Sequence, residues 1–584
     1  MTNPRDNNLV GVDPTTRAVE QTHGRARMPR WATLLLSTLA LLSLGLGVWG
    51  NHWGAPARWH GDEMYSRARN LLDARTIDPH HYPYGELHYY GFALLGVAPV
   101  KLVERVLDPR PGQKGTTADS LWARRDQVRV MQATRAVSAS YAALLIVLIA
   151  LLGAVSLEWR AGLLAAAFLA VNPYLVTISH FATADTLATL GFWAACAATY
   201  RYMQGGERGW LVAAALLGGI AIGLKSDRVV VVAPLLTAFV LARPRGPIRD
   251  FGLAALLLPI GFVLANPTIV TAPLEYVDGY VRDLVYQAVR THGAHTYTAV
   301  VEYLWEGLGW PVFTLVLVTG GYGLIRAWRR DRRTAIWLLM TFIPYALLLL
   351  GRATRKWYAP MLFPGLLLLA AVGCSDALRR VSRRQARLGW VGIGAALGWS
   401  LWAAAMVAAQ FDNDARDAAG RWIAQNAPAG SSILLAGYGP ALPLDRYSVR
   451  TPIRSDWCSV AIEPKERVDR SPRYQAFRSA LVRMERWLGG RLGTRVRPHP
   501  YTAWFDAYAG KCEAPVQSDS KPDYVVIVEG AETKELSGDV LASSYQLAQR
   551  FEYPHRGMSG PPMGFVNPSV DLYVRRQPES APQR

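Results

Sequence analysis

The stretch WHGDEMY, Trp59 to Tyr65, sets two adjacent carboxylates, Asp62 and Glu63, between the imidazole of His60 and the phenol of Tyr65. A carboxylate held against a hydroxyl can take its proton as general base. Neighbouring residues on a helix point about 100° apart, so the two acids cannot face one reacting atom in the same way and are expected to have different roles. The competing reading is an exposed acidic pair opening a helix, favoured there by the helix dipole. Position tips the balance towards chemistry, because the pair comes a dozen residues after an apolar run, residues 31–50, long enough to cross a bilayer.

Other ionisable groups recur at the edges of apolar runs: His180 and Asp185 in SHFATADTL, Lys225, Asp227 and Arg228 in LKSDRV, and Arg352, Arg355 and Lys356 in GRATRKWY. Guanidinium groups bind phosphate oxygens bidentately and an ammonium adds a mobile point charge, so Lys225, Arg228, Arg355 and Lys356 are candidates for holding a phosphate. The alternative is that they pair with Asp227 or with lipid headgroups. For Asp185 the alternative is a helix cap. The loop DPHHYPYGELHYY carries His80, His81 and His88, but adjacent histidines point apart and no helical HxxxH spacing occurs, so no metal is assigned. Its tyrosines, Tyr82 and Tyr84 among them, suit an interfacial aromatic belt or a platform on which a sugar stacks.

One tempting motif fails. GGIAIGLKS, residues 218–226, nearly matches a phosphate-binding loop, but Leu224 stands where the lysine belongs and the segment reads as an apolar helix. There is no G-x-S-x-G or H-E-x-x-H, which leaves nucleotide hydrolysis and the common hydrolase chemistries without an anchor.

The elements that must position these groups are membrane helices. The chain is 51% hydrophobic with 20 Trp, yet only 18% charged. Spans are expected near residues 31–50, 131–153, 161–179, 184–203, 210–225, 229–243, 251–270, 304–326, 334–351, 357–374 and 389–410, about eleven in all. The net charge of +19 does not point to nucleic acid, because the basic residues sit in short clusters between apolar runs. With the N-terminus inside, the segments 1–30, 243–250, 326–333 and 375–388 hold five, three, five and five arginines, which satisfies the positive-inside bias.

That register makes residues 1–30 a cytoplasmic tail, 31–410 a membrane domain with a long external loop at 51–130, and 411–576 an extracytoplasmic α/β domain, with a disordered tail at 577–584. The α/β reading rests on a helix-like segment at 414–427 and strand-like runs at 431–439 and 524–530. Of four cysteines, only Cys458 and Cys512 lie where a disulfide is plausible.

In their order these motifs resemble the GT-C membrane glycosyltransferases, in particular the group holding protein O-mannosyltransferases and lipid A aminoarabinose transferases. The matching pieces are HGDEMY after the first span, the span ATRAVSASYAALLIVLIALLG around Arg135, NPYLVTISHFATADTLATLGFW, GLKSDRVVVVAPLL and RKWYAPMLFPGLLLLAA, together covering residues 31–375. The resemblance implies a polytopic α-helical GT-C fold in the plasma membrane. It implies Asp62 as base, Glu63 supporting the site, Asp185 as a second acid, and Lys225, Arg228, Arg355 and Lys356 as holders of the donor phosphate; His60, Tyr82 and Tyr84 complete the substrate side.

The reaction implied is transfer of a hexose or pentose from a polyprenyl-phosphate sugar to a glycan, lipid or protein hydroxyl outside the cytoplasm. No cofactor is required by it, and a divalent cation is left open. The rival reading is a polytopic transporter or lipid flippase, which predicts ionisable groups near mid-bilayer and discontinuous helices there.

Overall fold

The structure, a computed structural model, describes residues 28–55, 63–79, 82, 84–107, 117–242, 246–290, 297–350, 356–437, 439–440, 442–443, 446–450, 472–487, 521–529, 538–552 and 568–576. His60, Asp62, Arg355, Cys458, Cys512 and both termini lie outside the described residues.

Apolar segments fold as helices because hydrocarbon offers no partner to a backbone N–H or C=O. The first helix, α1 (Arg30–Val48), leads to two short ones, α2 (Tyr65–Asp73) and α3 (Glu86–Gly91); a π-helical turn, Phe92–Val97, joins α3 to α4 (Ala98–Leu107). Then come α5 (Thr117–Ser156), α6 (Trp159–Ala170), α7 (Pro173–Ser179), α8 (Asp185–Gly205), α9 (Arg208–Leu224), α10 (Val232–Ala242) and α11 (Pro247–Ala265). They are followed by α12 (Thr268–Thr271), α13 (Pro273–Arg290), α14 (Tyr297–Leu308), α15 (Trp310–Arg330), α16 (Arg332–Leu350), α17 (Phe363–Arg380) and α18 (Arg383–Asp412).

The chain is thus a polytopic helical membrane protein. Among the described residues, six stretches are each long and apolar enough to cross a bilayer: α1, Gln127–Ser156 of α5, α11, α15, α16 and the stretch containing α18. A seventh arises if α6 and α7 form one span, although they meet at 61°. The uninterrupted span expected at 161–179 is therefore a bent pair. Asn172 caps α7 by accepting a hydrogen bond from the Leu175 N–H at 2.9 Å, and Pro173 at the first helical position cannot continue α6. The other expected spans map onto helices that are short, such as α9 with 17 residues and α10 with 11, or largely enclosed by neighbours, such as α8 and α17. The stretch expected at 304–326 is divided at Gly309, whose φ of +72° separates α14 from α15.

Close helix contacts rest on small residues. Gly219 of α9 faces Gly261 of α11, and a Cβ on either would fall on a carbonyl oxygen of the other helix. After α18 the chain forms α19 (Ala415–Asn426), β1 (Ser432–Ala436), β2 (Ser448–Arg450), α20 (Pro472–Trp487), β3 (Tyr524–Val528), α21 (Gly538–Ser544), β4 (Tyr545–Phe551) and β5 (Val570–Arg575). The sheet order is β2-β1-β3-β5-β4, with β2, β1 and β3 parallel and β5 and β4 antiparallel to their neighbours. Ile433, Val526 and Leu572 on one sheet face bury against Ala419 and Ile423 of α19, which gives this unit its own core.

Candidate active site

Glu63 precedes α2 and is wholly buried, not an exposed acid opening a helix. Arg135 of α5 takes its carboxylate bidentately, Nε to Oε1 at 2.7 Å and Nη2 to Oε2 at 2.8 Å. The remaining guanidinium nitrogen, Nη1, donates to the carbonyls of Asn51 at 2.7 Å and Trp53 at 2.6 Å. One side chain thus ties both ends of the stretch that contains Asp62. The Ala182 N–H adds a hydrogen bond to Glu63 Oε1 at 3.2 Å, and the Met64 N–H donates to the Ala182 carbonyl at 3.1 Å.

Ala182 belongs to the turn between α7 and α8, and that turn leads directly to the second acid. Thr183 Oγ1 donates to Asp185 Oδ2 at 3.0 Å, while Lys225 Nζ donates to Asp185 Oδ1 in a pair almost shielded from solvent. Asp185 is the first residue of α8, and its carboxylate serves Lys225 and Thr183. Lys225 also lies over the Tyr358 ring, 4.3 Å from its centroid. Tyr358 sits in the 3₁₀ turn Lys356–Met361, so Lys356 opens an element that reaches Lys225.

A second ion pair lies beside the first. Arg228 Nη1 donates to Asp227 Oδ2 at 2.9 Å and to the Tyr345 hydroxyl at 3.0 Å, and Tyr345 donates to the same Asp227 oxygen at 3.0 Å. Thr189 joins the two pairs: its hydroxyl donates to the Asp185 carbonyl at 2.8 Å and accepts from Arg228 Nη2 at 3.4 Å. Lys225 and Arg228 are thereby balanced by Asp185 and Asp227. Arg228 Nε and Asp227 Oδ1 are buried without a hydrogen-bond partner.

The tyrosine-rich loop docks on the same region. The Gly85 N–H donates to the Leu224 carbonyl at 3.1 Å, immediately before Lys225, and a Cβ at Gly85 would fall on the Gly223 carbonyl. Glu86 receives the Thr268 N–H at 2.9 Å and the Tyr90 hydroxyl at 3.1 Å on Oε2, while its other oxygen has no partner. Burial raises its pKa above the ordinary carboxylate value. His88 is completely buried with Nδ1 on the Gly85 carbonyl, and burial pushes its pKa down to about 3. Tyr82 is 1% exposed, its hydroxyl on Asp78 at 3.2 Å and its ring edge-on to Tyr276 at 5.4 Å. Tyr84 is partly buried, its ring edge-on to His88 at 6.3 Å.

The structure therefore brings Glu63, Asp185, Lys225 and Arg228 around one turn, residues 180–185, with Tyr84 alongside. Sequence reasoning offered Asp227 as the alternative partner, which Arg228 takes, but missed Arg135, Tyr345 and Tyr358 as partners. Arg135 carried a readable signal, since an arginine inside an apolar run needs a buried counter-charge. Among the described residues no group of three or more His, Cys, Asp or Glu is arranged to hold a metal ion.

Residues 128–270 match the family model described as dolichyl-phosphate-mannose-protein mannosyltransferase. That stretch contains Arg135, Asp185, Lys225, Arg228 and Thr268. The chain matches no curated protein. Among solved structures it is similar to ArnT from Cupriavidus metallidurans bound to undecaprenyl phosphate, at 12% identity over 92% of this chain and 97% of that one, with a TM-score of 0.48. It is also similar to the oligosaccharyltransferase AglB from Archaeoglobus fulgidus in complex with an inhibitory peptide and a dolichol-phosphate, at 14% identity over 69% of this chain and 62% of that one, TM-score 0.43. A third similarity is to the arabinofuranosyltransferase AftD from Mycobacteria, at 14% identity over 94% of this chain and 40% of that one, TM-score 0.40. The resemblance to GT-C membrane glycosyltransferases carried by the short motifs is thus supported by the family match over residues 128–270.

Proposed function

We propose that this chain transfers a sugar from a polyprenyl-phosphate donor to an acceptor hydroxyl at the outer face of the membrane, with inversion at the anomeric carbon. The observation that carries the reading is the family match over residues 128–270, which spans the buried Asp185–Lys225 and Asp227–Arg228 pairs. The donor class follows from that family's description, which names a polyprenyl phosphate carrying a sugar.

In this reading Asp62 takes the proton from the acceptor hydroxyl as its oxygen attacks the anomeric carbon, and the carbon–phosphate oxygen bond breaks. The leaving phosphate takes the bonding electron pair and gains a negative charge, which cations stabilise, so no strong general acid is required. Because Asp185 and Asp227 already balance Lys225 and Arg228, the net positive charge for that phosphate comes from Arg355 and Lys356, while the unpartnered Arg228 Nε supplies a further donor. His60, Tyr82 and Tyr84 line or support the sugar side.

The same reading places about eleven spans in the plasma membrane, the N-terminus in the cytoplasm, and the loop at 51–130 and residues 411–576 outside. Mass spectrometry of envelope glycans and lipids with and without the protein tests it. A sugar unit missing from one component names the product. An unchanged inventory, with transport of a polyprenyl-phosphate lipid lost instead, would establish the flippase alternative.

A further inference from the structure

One buried link between the membrane body and the C-terminal unit is an indole. Trp53 is wholly buried, and its Nε1–H donates to Asp414 Oδ2 at 2.8 Å across 361 residues of sequence. Asp414 caps α19 and is held in turn by Arg416, Nε to Oδ1 at 2.8 Å and Nη2 to Oδ2 at 2.7 Å. The Arg416 guanidinium lies 5.2 Å from the centroid of the Trp53 ring, and the Arg135 guanidinium lies 5.6 Å from the same ring. The result is a chain of contacts, Glu63 to Arg135 to Trp53 to Arg416 and Asp414, in which no member is more than 2% exposed. Phe411, the penultimate residue of α18, closes it from the side, edge-on to Trp53 at 5.2 Å and stacked on His180 at 4.0 Å.

Two buried ion pairs, one between segments and one within the first turn of α19, are a costly way to build a contact, since apolar residues of the same volume hold as well or better. What ion pairs and hydrogen bonds supply that apolar packing lacks is fixed direction. Here the direction converges on Glu63, one peptide bond from Asp62, and on Trp53, whose carbonyl Arg135 grips at 2.6 Å.

We propose that Asp414 and Arg416 are positioning residues for the transfer reaction: the start of the C-terminal unit, acting through Trp53 and Arg135, fixes Glu63 and the Asn51–Trp53 segment, the two described flanks of Asp62. This rests on the glycosyltransferase reading for its chemistry, but not for its structural coupling. It makes the C-terminal unit part of the catalytic apparatus even though the motifs of the membrane body end near residue 375.

The test uses the full-length protein in lipid nanodiscs with the variants Asp414→Asn and Trp53→Phe. Asp414→Asn keeps the shape but removes the negative charge and one of the two acceptor oxygens that the Trp53 indole, the Arg416 guanidinium and the helix cap share; Trp53→Phe keeps an aromatic ring and removes the donor. Turnover is expected to fall at least tenfold in Asp414→Asn and by a smaller factor, still above twofold, in Trp53→Phe, while the apparent KM for the polyprenyl-phosphate donor stays within threefold. Hydrogen exchange is expected to accelerate in the peptide from Asn51 to Met64 and to stay unchanged in β1. Turnover within twofold of the unaltered protein in both variants overturns the proposal. So does a loss of turnover in both accompanied by loss of β1 protection, because that reports unfolding of the C-terminal unit. If the unaltered protein transfers no sugar, the glycosyltransferase reading fails, and the exchange comparison alone decides whether the coupling stands.

Discussion

Arg135 and Glu63 meet in two parallel hydrogen bonds of 2.7 and 2.8 Å, with the guanidinium 1% and the carboxylate 0% exposed. Neither charge can reach water, so each is tolerable only because the other is present. Removing one partner strands the other. Glu63→Gln is expected to lower the unfolding free energy by about 3–5 kcal/mol, the usual cost of breaking a buried pair from one side. Thermal unfolding in detergent measures it. Arg135→Lys is expected to fall short of full stability as well, since an ammonium cannot reproduce the fork that holds Glu63 while also holding the Asn51 and Trp53 carbonyls.

For the base itself, Asp62→Asn removes proton acceptance while leaving the shape. A positioned general base contributes about 10² to 10⁴ in rate, so turnover is expected to fall by that factor with donor binding retained. Single-turnover assays on correctly inserted protein check it. A variant that transfers sugar at the unaltered rate removes Asp62 from the mechanism.

The elements that were legible in the sequence are those set by local composition. Apolar runs gave helices, and Asp185, Lys225 and Arg228 stood out because charge at the edge of a span needs a reason. The break between α6 and α7 was also written locally, as Asn172–Pro173, a cap followed by a residue that starts helices and cannot extend them. Pairing between neighbours, Asp227 with Arg228, was legible, but pairing across helices was not. Glu63 finds Arg135 72 residues away, Lys225 finds Asp185 40 residues away, and Trp53 finds Asp414 361 residues away. Which charges neutralise which is decided by helix packing, and nothing in the spacing of a single chain encodes it.

The Asp185–Lys225 pair makes a prediction about additivity. Each side chain is held by the other, with Tyr358 over the ammonium and Thr183 on the carboxylate. Asp185→Asn or Lys225→Gln alone leaves an unpaired charge. The double variant leaves none. Stability losses from the two single changes are therefore expected to exceed that of the double, with an interaction energy of about 0.5–3 kcal/mol in a double-mutant cycle. Turnover in the double variant is expected to be no lower than in the worse single. Strict additivity would mean that the two residues act separately.

The last prediction concerns acid. His88 is wholly buried and neutral, with its pKa pushed down to about 3 from an ordinary value of 6.5. Its folded-state pKa lies below the unfolded one, so its contribution to stability is fully present above pH 6.5 and is lost as pH falls towards 3. Glu86, whose pKa is raised by burial, works in the opposite sense: its contribution is present below its ordinary value of 4.5 and is lost as pH rises through the folded value. Between pH 6.5 and 4.5 the histidine is already being driven to protonate in the unfolded chain, so stability is expected to fall on acidification there. His88→Gln, which cannot be protonated, is expected to flatten that slope without abolishing folding. Unfolding midpoints of the full-length protein taken from pH 7.5 down to pH 4.5, with and without the substitution, measure the difference, and parallel curves would show that His88 does not set the acid sensitivity.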